Sequence, residues 1–245
     1  MALLDVTDVS VRFGGLMALS DVTVSAEAGR ITGLIGPNGA GKTTMFNVIT
    51  GLQPPVTGSV RVDGREVNDL APYKRARLGM ARTFQRLELF GSLTVHENVQ
   101  CAASMASRWR GKDDAPAALA TRIVERVGLG AVSDLRADAL PTGQGRLVEL
   151  ARALATRPRV ILLDEPASGQ DERETEHFAE LLRELAGEGM AVLLVEHDMD
   201  LVMNTCDFIY VLDFGRLLAS GTPDEVRRNE AVLSAYLGSE WQDHG

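Results

Sequence analysis

Eight residues, Gly36-Pro37-Asn38-Gly39-Ala40-Gly41-Lys42-Thr43, fit the pattern GxxxxGK[ST], and Thr44 follows directly. Glycines let a backbone curl until successive N–H groups point inward at phosphate oxygens, and a helix starting where the loop ends adds its partial positive charge. In such a cradle Lys42 reaches the terminal phosphates of a nucleotide and Thr43 is placed to hold Mg²⁺. Much further along, the apolar run Val160-Ile161-Leu162-Leu163 ends in two carboxylates, Asp164 and Glu165. Asp164 is placed to hold Mg²⁺, directly or through water, and Glu165 to polarise the water that attacks the γ-phosphate. A third apolar run, 191–195, ends at Glu196-His197 and so delivers His197 to the same edge. Gln85 follows Arg82-Thr83-Phe84 at the point where the pattern changes character.

Those groups need elements to position them. Short apolar runs at 3–11, 22–25, 31–35, 160–163, 191–195 and 208–212 predict strands. The last four are near-continuous rather than alternating, as expected of parallel strands covered on both faces by helices. Helical spacing is clearest at Phe178, Leu181, Leu182 and Leu185 and at Leu147, Leu150, Ala151 and Leu154. The loop at 36–43 lies between a strand at 31–35 and a helix beginning near Gly41, and acids or a histidine at strand C-termini lie where open α/β sheets bind ligands. The span 86–154 is rich in Ala, Arg and Leu, with Leu119, Ile123 and Val127 at helical spacing, and predicts a helical insertion. Its most loop-like part is Trp109–Pro116.

The 245-residue chain carries a net charge of -9, which argues against a broad basic surface for nucleic acid, since that binding rests on Lys and Arg neutralising phosphates. Two cysteines, Cys101 and Cys206, have neither CxxC spacing nor nearby His ligands in a zinc-site pattern, so a disulfide framework or zinc site has little support. The first twelve residues contain Asp5, Asp8 and Arg12 where a signal peptide needs an apolar run. No stretch reaches the roughly 20 apolar residues of a membrane span, so membrane association must run through a partner.

Pro37–Thr44, Gln85, Gly143-Gln144, Asp164-Glu165 and His197 occur in the order of the ABC ATPase family, which the chain resembles along essentially its whole length. The resemblance implies an α/β fold: a RecA-like P-loop nucleotide-binding core with an N-terminal antiparallel β portion and an α-helical subdomain, 86–154, inserted within one domain, 1–245. It implies hydrolysis of ATP to ADP and phosphate with Mg²⁺ as cofactor. Phe13 would stack on adenine, Gln85 would sense Mg²⁺ and the membrane partner, and His197 would contact the γ-phosphate. Ser168–Asp171 would form the loop crossing to a second such subunit, identical or different, with two ATP molecules sandwiched head to tail. Transmembrane permease subunits would be moved through contacts near Gln85 and 86–97, a substrate-binding protein would take part indirectly, and the chain would sit on the cytoplasmic face of the membrane.

Within the family the chain is similar to the ATPases of branched-chain amino-acid uptake, on Arg12-Phe13-Gly14-Gly15, Arg82-Thr83-Phe84-Gln85, Leu93-Thr94-Val95-His96-Glu97-Asn98, Val195-Glu196-His197-Asp198-Met199 and Ala235-Tyr236-Leu237-Gly238. Import of branched-chain amino acids or related small polar solutes is therefore expected. Lipopolysaccharide-export and urea-type ATPases are the alternatives, and a soluble ABC protein of DNA repair or the ribosome is a rival that the single short core disfavours. The signature usually reads LSGGQ or LSYGQ, whereas this chain has Leu140-Pro141-Thr142-Gly143-Gln144, with proline where a serine hydroxyl would meet the γ-phosphate of the opposite site. Gln170 likewise stands where leucine is common.

Overall fold

The structure is a computed structural model and describes residues 2–110 and 115–237. In chain order the first part runs β1 (Ala2–Phe13), β2 (Leu16–Glu27), β3 (Ile31–Ile35), α1 (Lys42–Thr50), β4 (Thr57–Val62), β5 (Arg65–Glu66), α2 (Pro72–Arg77) and β6 (Met80–Arg82). Three helices follow, α3 (Val95–Arg110), α4 (Pro116–Arg126) and α5 (Thr142–Ala155). The rest runs β7 (Val160–Asp164), α6 (Glu172–Gly187), β8 (Ala191–Val195), α7 (Met199–Thr205), β9 (Phe208–Asp213), β10 (Arg216–Gly221), α8 (Pro223–Arg227) and α9 (Glu230–Leu237).

Two sheets result. One is antiparallel, in the order β2-β1-β4-β5, and the other has the order β10-β9-β3-β8-β7-β6, parallel from β9 to β6 with β10 antiparallel at the edge. Every residue of β3, β7 and β8 is buried, which explains their unbroken apolar sequence. Alternate residues serve opposite faces. Ile35, Ile161, Leu163, Val192 and Leu194 pack with Phe178, Leu181, Leu182 and Leu185 of α6, while Leu34, Val160, Leu162, Leu193 and Val195 pack with Met45, Phe46 and Ile49 of α1 and with the valines of the antiparallel sheet. Each such side chain contributes about 1.5–3 kcal/mol by leaving water, so α1, which follows the phosphate-binding loop, is anchored by its apolar face.

The sequence reading misses β4, β5, β6 and β10. β6 and β5 are too short to show a period, and β4 and β10 carry charged or glycine residues in exposed positions. β2 is also longer than expected because its first half is held by pairing with β1, not by apolar character. Trp109–Pro116 needs correction as well: Trp109 and Arg110 complete the last turn of α3, with the Arg77 guanidinium 5.7 Å from the Trp109 ring centre, and Pro116 opens α4. Residues 111–114 lie outside the described residues, as does Gly238. No described helix is long and apolar enough to cross a membrane.

Candidate functional site

The parallel sheet places the chemistry at one edge. β3 runs into the glycine-rich loop, β6 into Gln85, β7 into Asp164-Glu165 and β8 into Glu196-His197, all from strand C-termini, where open parallel sheets bind ligands.

The loop demands its glycines at particular points. Gly36 has φ 149°, and a Cβ there would stand 2.1 Å from Leu212 O on β9. Gly41 has φ 108° and is packed against Ala18 O and Leu19 of β2. Gly41 is also the N-cap of α1 and supplies no side chain, so the N–H groups opening the helix are left for an anion. The ammonium of Lys42 turns back onto the loop, donating to the carbonyls of Gly36 and Pro37. The tip between β9 and β10 braces the loop from behind through Gly215 N–H to Ala40 O at 3.0 Å.

Glu165 has φ 48°, a left-handed backbone that costs a non-glycine residue about 1–3 kcal/mol and persists only where the surroundings impose it. Its N–H is tied to Val195 O at 2.8 Å, and its carboxylate accepts from Gln85 Nε2 at 2.9 Å. Asp164, nearly buried, accepts at Oδ2 from Arg82 Nη2 at 2.9 Å. Burial pushes its carboxyl up from the ordinary range, and Arg82 opposes that shift. Thr43, Gln85 and Asp164 line one cleft of about 550 Å³ together with Asn47, Arg82 and Phe84. Three oxygen donors from a hydroxyl, an amide and a carboxylate suit a hard, small cation such as Mg²⁺, which keeps its remaining positions for phosphate and water.

His197 is largely exposed, with Nδ1 3.4 Å from the buried Glu196 carboxylate. Glu196 also accepts from Ala167 N–H at 2.8 Å, joining the loop after Glu165 to the histidine; burial is the main cause that raises its pKa. Phe13, at the end of β1, is half-exposed. Pro141-Thr142-Gly143-Gln144 do not line the cleft: Pro141 is the N-cap of α5, Thr142 lies against Gly169, and Gly143 lies against the Glu174 carboxylate at the start of α6.

Two groups of site-supporting residues escaped the sequence reading. Arg82, seen there only as part of a four-residue pattern, holds Asp164. Arg146 on α5 donates to Phe84 O at 2.9 Å and to Gln85 O, and pairs with Glu149 at 2.9 Å; Glu149 in turn accepts from Glu88 N–H at 2.9 Å. The i, i+3 spacing of Arg146 and Glu149 was visible, but not that their pairing is buried against the Gln85 segment.

The ABC transporter family matches residues 19–168, and a family described as branched-chain amino acid ATP-binding cassette transporter matches 216–241. The chain belongs to the ABC transporter family. It is 40% identical over 249 residues to the high-affinity branched-chain amino acid transport ATP-binding protein BraF of Pseudomonas aeruginosa, covering 96% of this chain and 98% of that one. A solved ATP-binding cassette of an ABC transporter in its ADP conformation superposes with TM-score 0.88 at 31% identity, covering 98% of this chain and 100% of that one. A dimeric cassette in a post-hydrolysis state with ADP and Pi superposes with TM-score 0.80 at 27% identity, covering 90% of this chain and 98% of that one. This cassette therefore has the RecA-like P-loop fold of the family's ATPases and is itself such an ATPase.

Proposed function

We propose that this cassette powers uptake of branched-chain amino acids, hydrolysing ATP beside the membrane while transmembrane permease subunits carry the solute. The observation that carries the ATPase half is the hydrogen bond between Gln85 and Glu165 at the edge where the glycine-rich loop also ends. The likeness to BraF along nearly the whole chain, together with the family match at 216–241, supports the substrate and favours it over lipopolysaccharide or urea.

In this reading Gly36–Thr44 cradle the phosphates, Lys42 leaves its own carbonyls for the terminal phosphates, and Phe13 stacks on adenine. Thr43, Asp164 and Gln85 would hold Mg²⁺, which neutralises phosphate charge when bound. Glu165, freed from Gln85, orients and deprotonates the attacking water, and His197 holds the γ-phosphate. Pro141 and Thr142, exposed at the start of α5, serve with Gly143 and Gln144 the site of a second subunit in a head-to-tail pair; that a related cassette is dimeric supports the pairing. We read 86–154 as the inserted helical subdomain. The groove of about 440 Å³ between it and the core, walled by Leu52, Tyr73, Met80, Phe84 and Arg152, is where a permease segment would dock on the cytoplasmic side.

Glu165→Gln tests the chemistry. A glutamine can keep the Gln85 contact but cannot take a proton, so turnover should fall by about 10²- to 10⁴-fold with ATP binding retained and the dimer held closed in sedimentation. Unchanged phosphate release would overturn the assignment. For the solute, cells lacking this chain should lose uptake of labelled leucine; intact leucine uptake would refute the substrate.

A further inference from the structure

One guanidinium joins three segments of the catalytic edge. Arg82 ends β6 with only 6% of its side chain exposed. Nη2 donates to Asp164 Oδ2 at 2.9 Å, while Nη1 donates to Asn47 Oδ1 at 2.8 Å and to Thr50 Oγ1 at 3.4 Å. The charge also lies 5.3 Å from the ring centre of Phe46 and 4.9 Å from that of Phe84. Phe46, Asn47 and Thr50 belong to α1, whose first turn carries Lys42 and Thr43, and Phe84 adjoins Gln85.

A cation this buried is costly unless its partners are well placed. The planar fork of arginine serves a carboxylate, an amide oxygen and a hydroxyl in fixed directions, which the compact ammonium of lysine does less well. The consequence falls on Asp164. Its Oδ2 accepts from Arg82, whereas Oδ1 makes no hydrogen bond to any described residue, and Asp164 lines the cleft shared with Thr43 and Gln85. Its backbone N–H is fixed separately, on Thr83 Oγ1 at 3.3 Å.

We propose that Arg82 is the positioning residue for Asp164, holding one carboxylate oxygen so that the other stays presented to the metal ion that accompanies the nucleotide, a role that rests on the metal-side reading of Asp164 given above. Through Asn47 and Phe84 the same side chain keeps that carboxylate in register with the phosphate loop and with Gln85. Remove the clamp and the carboxylate turns freely, so Mg²⁺ should lose most of its power to tighten nucleotide binding. Nucleotide without metal should bind as before.

The test measures binding of the slowly hydrolysed analogue ATPγS to the full chain by calorimetry, in Mg²⁺ and in EDTA, and takes the ratio of the two affinities. Arg82→Met, which keeps length and packs between aromatic rings, should lower the ratio by about 10- to 100-fold, the loss expected for a charge-assisted hydrogen bond. Affinity in EDTA should stay at the wild-type value. Arg82→Lys should recover part of the loss, and Arg82→Met with Asp164→Asn should lose no more than Asp164→Asn alone. An unchanged ratio in Arg82→Met while Asp164→Asn lowers it would overturn the role of Arg82 and leave Asp164 standing. Losses that multiply in the double variant, or an equal fall in EDTA, would reduce Arg82 to a merely structural residue and overturn the proposal too. An unchanged ratio in Asp164→Asn would overturn the metal-side reading and this role with it. Should Arg82→Met not fold, Arg82→Lys and Arg82→Gln carry the same comparison against Asp164→Asn.

Discussion

Replacing Arg146 with methionine should be the costliest single change on the α5 face that touches the Gln85 segment. The pair Arg146 and Glu149 is 7% and 6% exposed at the side chains, with 2.9 Å between Nη1 and Oε2. Arg146→Met strips the donors from Phe84 O and Gln85 O and leaves the Glu149 carboxylate buried with Glu88 N–H and the field of Arg152 as support. Breaking a buried ion pair by removing one partner costs about 3–5 kcal/mol, a large share of a total stability of about 5–15 kcal/mol. Glu149→Gln keeps an acceptor for Glu88 N–H and should cost less, about 1.5–3 kcal/mol for the lost charge-assisted bond. The double variant should cost less than the sum of the two, because Arg146→Met no longer strands a charge, with a coupling of about 1–3 kcal/mol. Urea denaturation of the four chains in the absence of nucleotide measures it. Burial already holds the Glu149 carboxyl above its ordinary range, with Glu88 N–H and Arg146 opposing the shift. A carboxyl raised in the folded state adds stability below its unfolded pKa and loses it as pH rises through the folded value. Without Arg146 the shift grows, so the Arg146→Met penalty should shrink as pH falls from neutral through that raised value into the ordinary carboxylate range. Additivity within about 0.5 kcal/mol, or a penalty that does not depend on pH, would refute the coupling.

Two further outcomes are expected. Pro141 is the N-cap of α5 with no side-chain bond, so Pro141→Ser should stabilise the chain by about 0.5–1 kcal/mol in urea denaturation; in a homodimeric complex it should also raise ATPase rate by restoring a hydroxyl toward the opposite site, and an unchanged rate would make the proline neutral. Burial pushes the Cys206 thiol up to about 12, whereas Cys101 is half-buried, so iodoacetamide should label Cys101 first in the native chain and both equally in urea, as read by mass spectrometry; equal native labelling would contradict the packing of Cys206 under Gly33 and Val202.

Much of the candidate site's geometry is legible in the sequence. The loop 36–43 reads directly because backbone curvature and charge reside in the residue types themselves: only glycine fits where a Cβ would meet Leu212 O, and only one cation, Lys42, lies within the loop. The buried strands reveal themselves through uninterrupted apolar runs, and their ends put Asp164, Glu165 and His197 at one edge. Tertiary structure decided what depends on neighbours distant in the chain. β6 is three residues long and is a strand only because β7 pairs with it, and that pairing brings Arg82 to Asp164 across 82 positions. The Gln85–Glu165 bond, the grip of α5 on the Gln85 segment and the Glu196 link to Ala167 are likewise contacts between separate strand ends and loops. Residue type and spacing report what a side chain can do; which partner it meets is set by packing, since the direction of each side chain is fixed only once the sheet twist, the helix anchors and the left-handed turn at Glu165 are all in place.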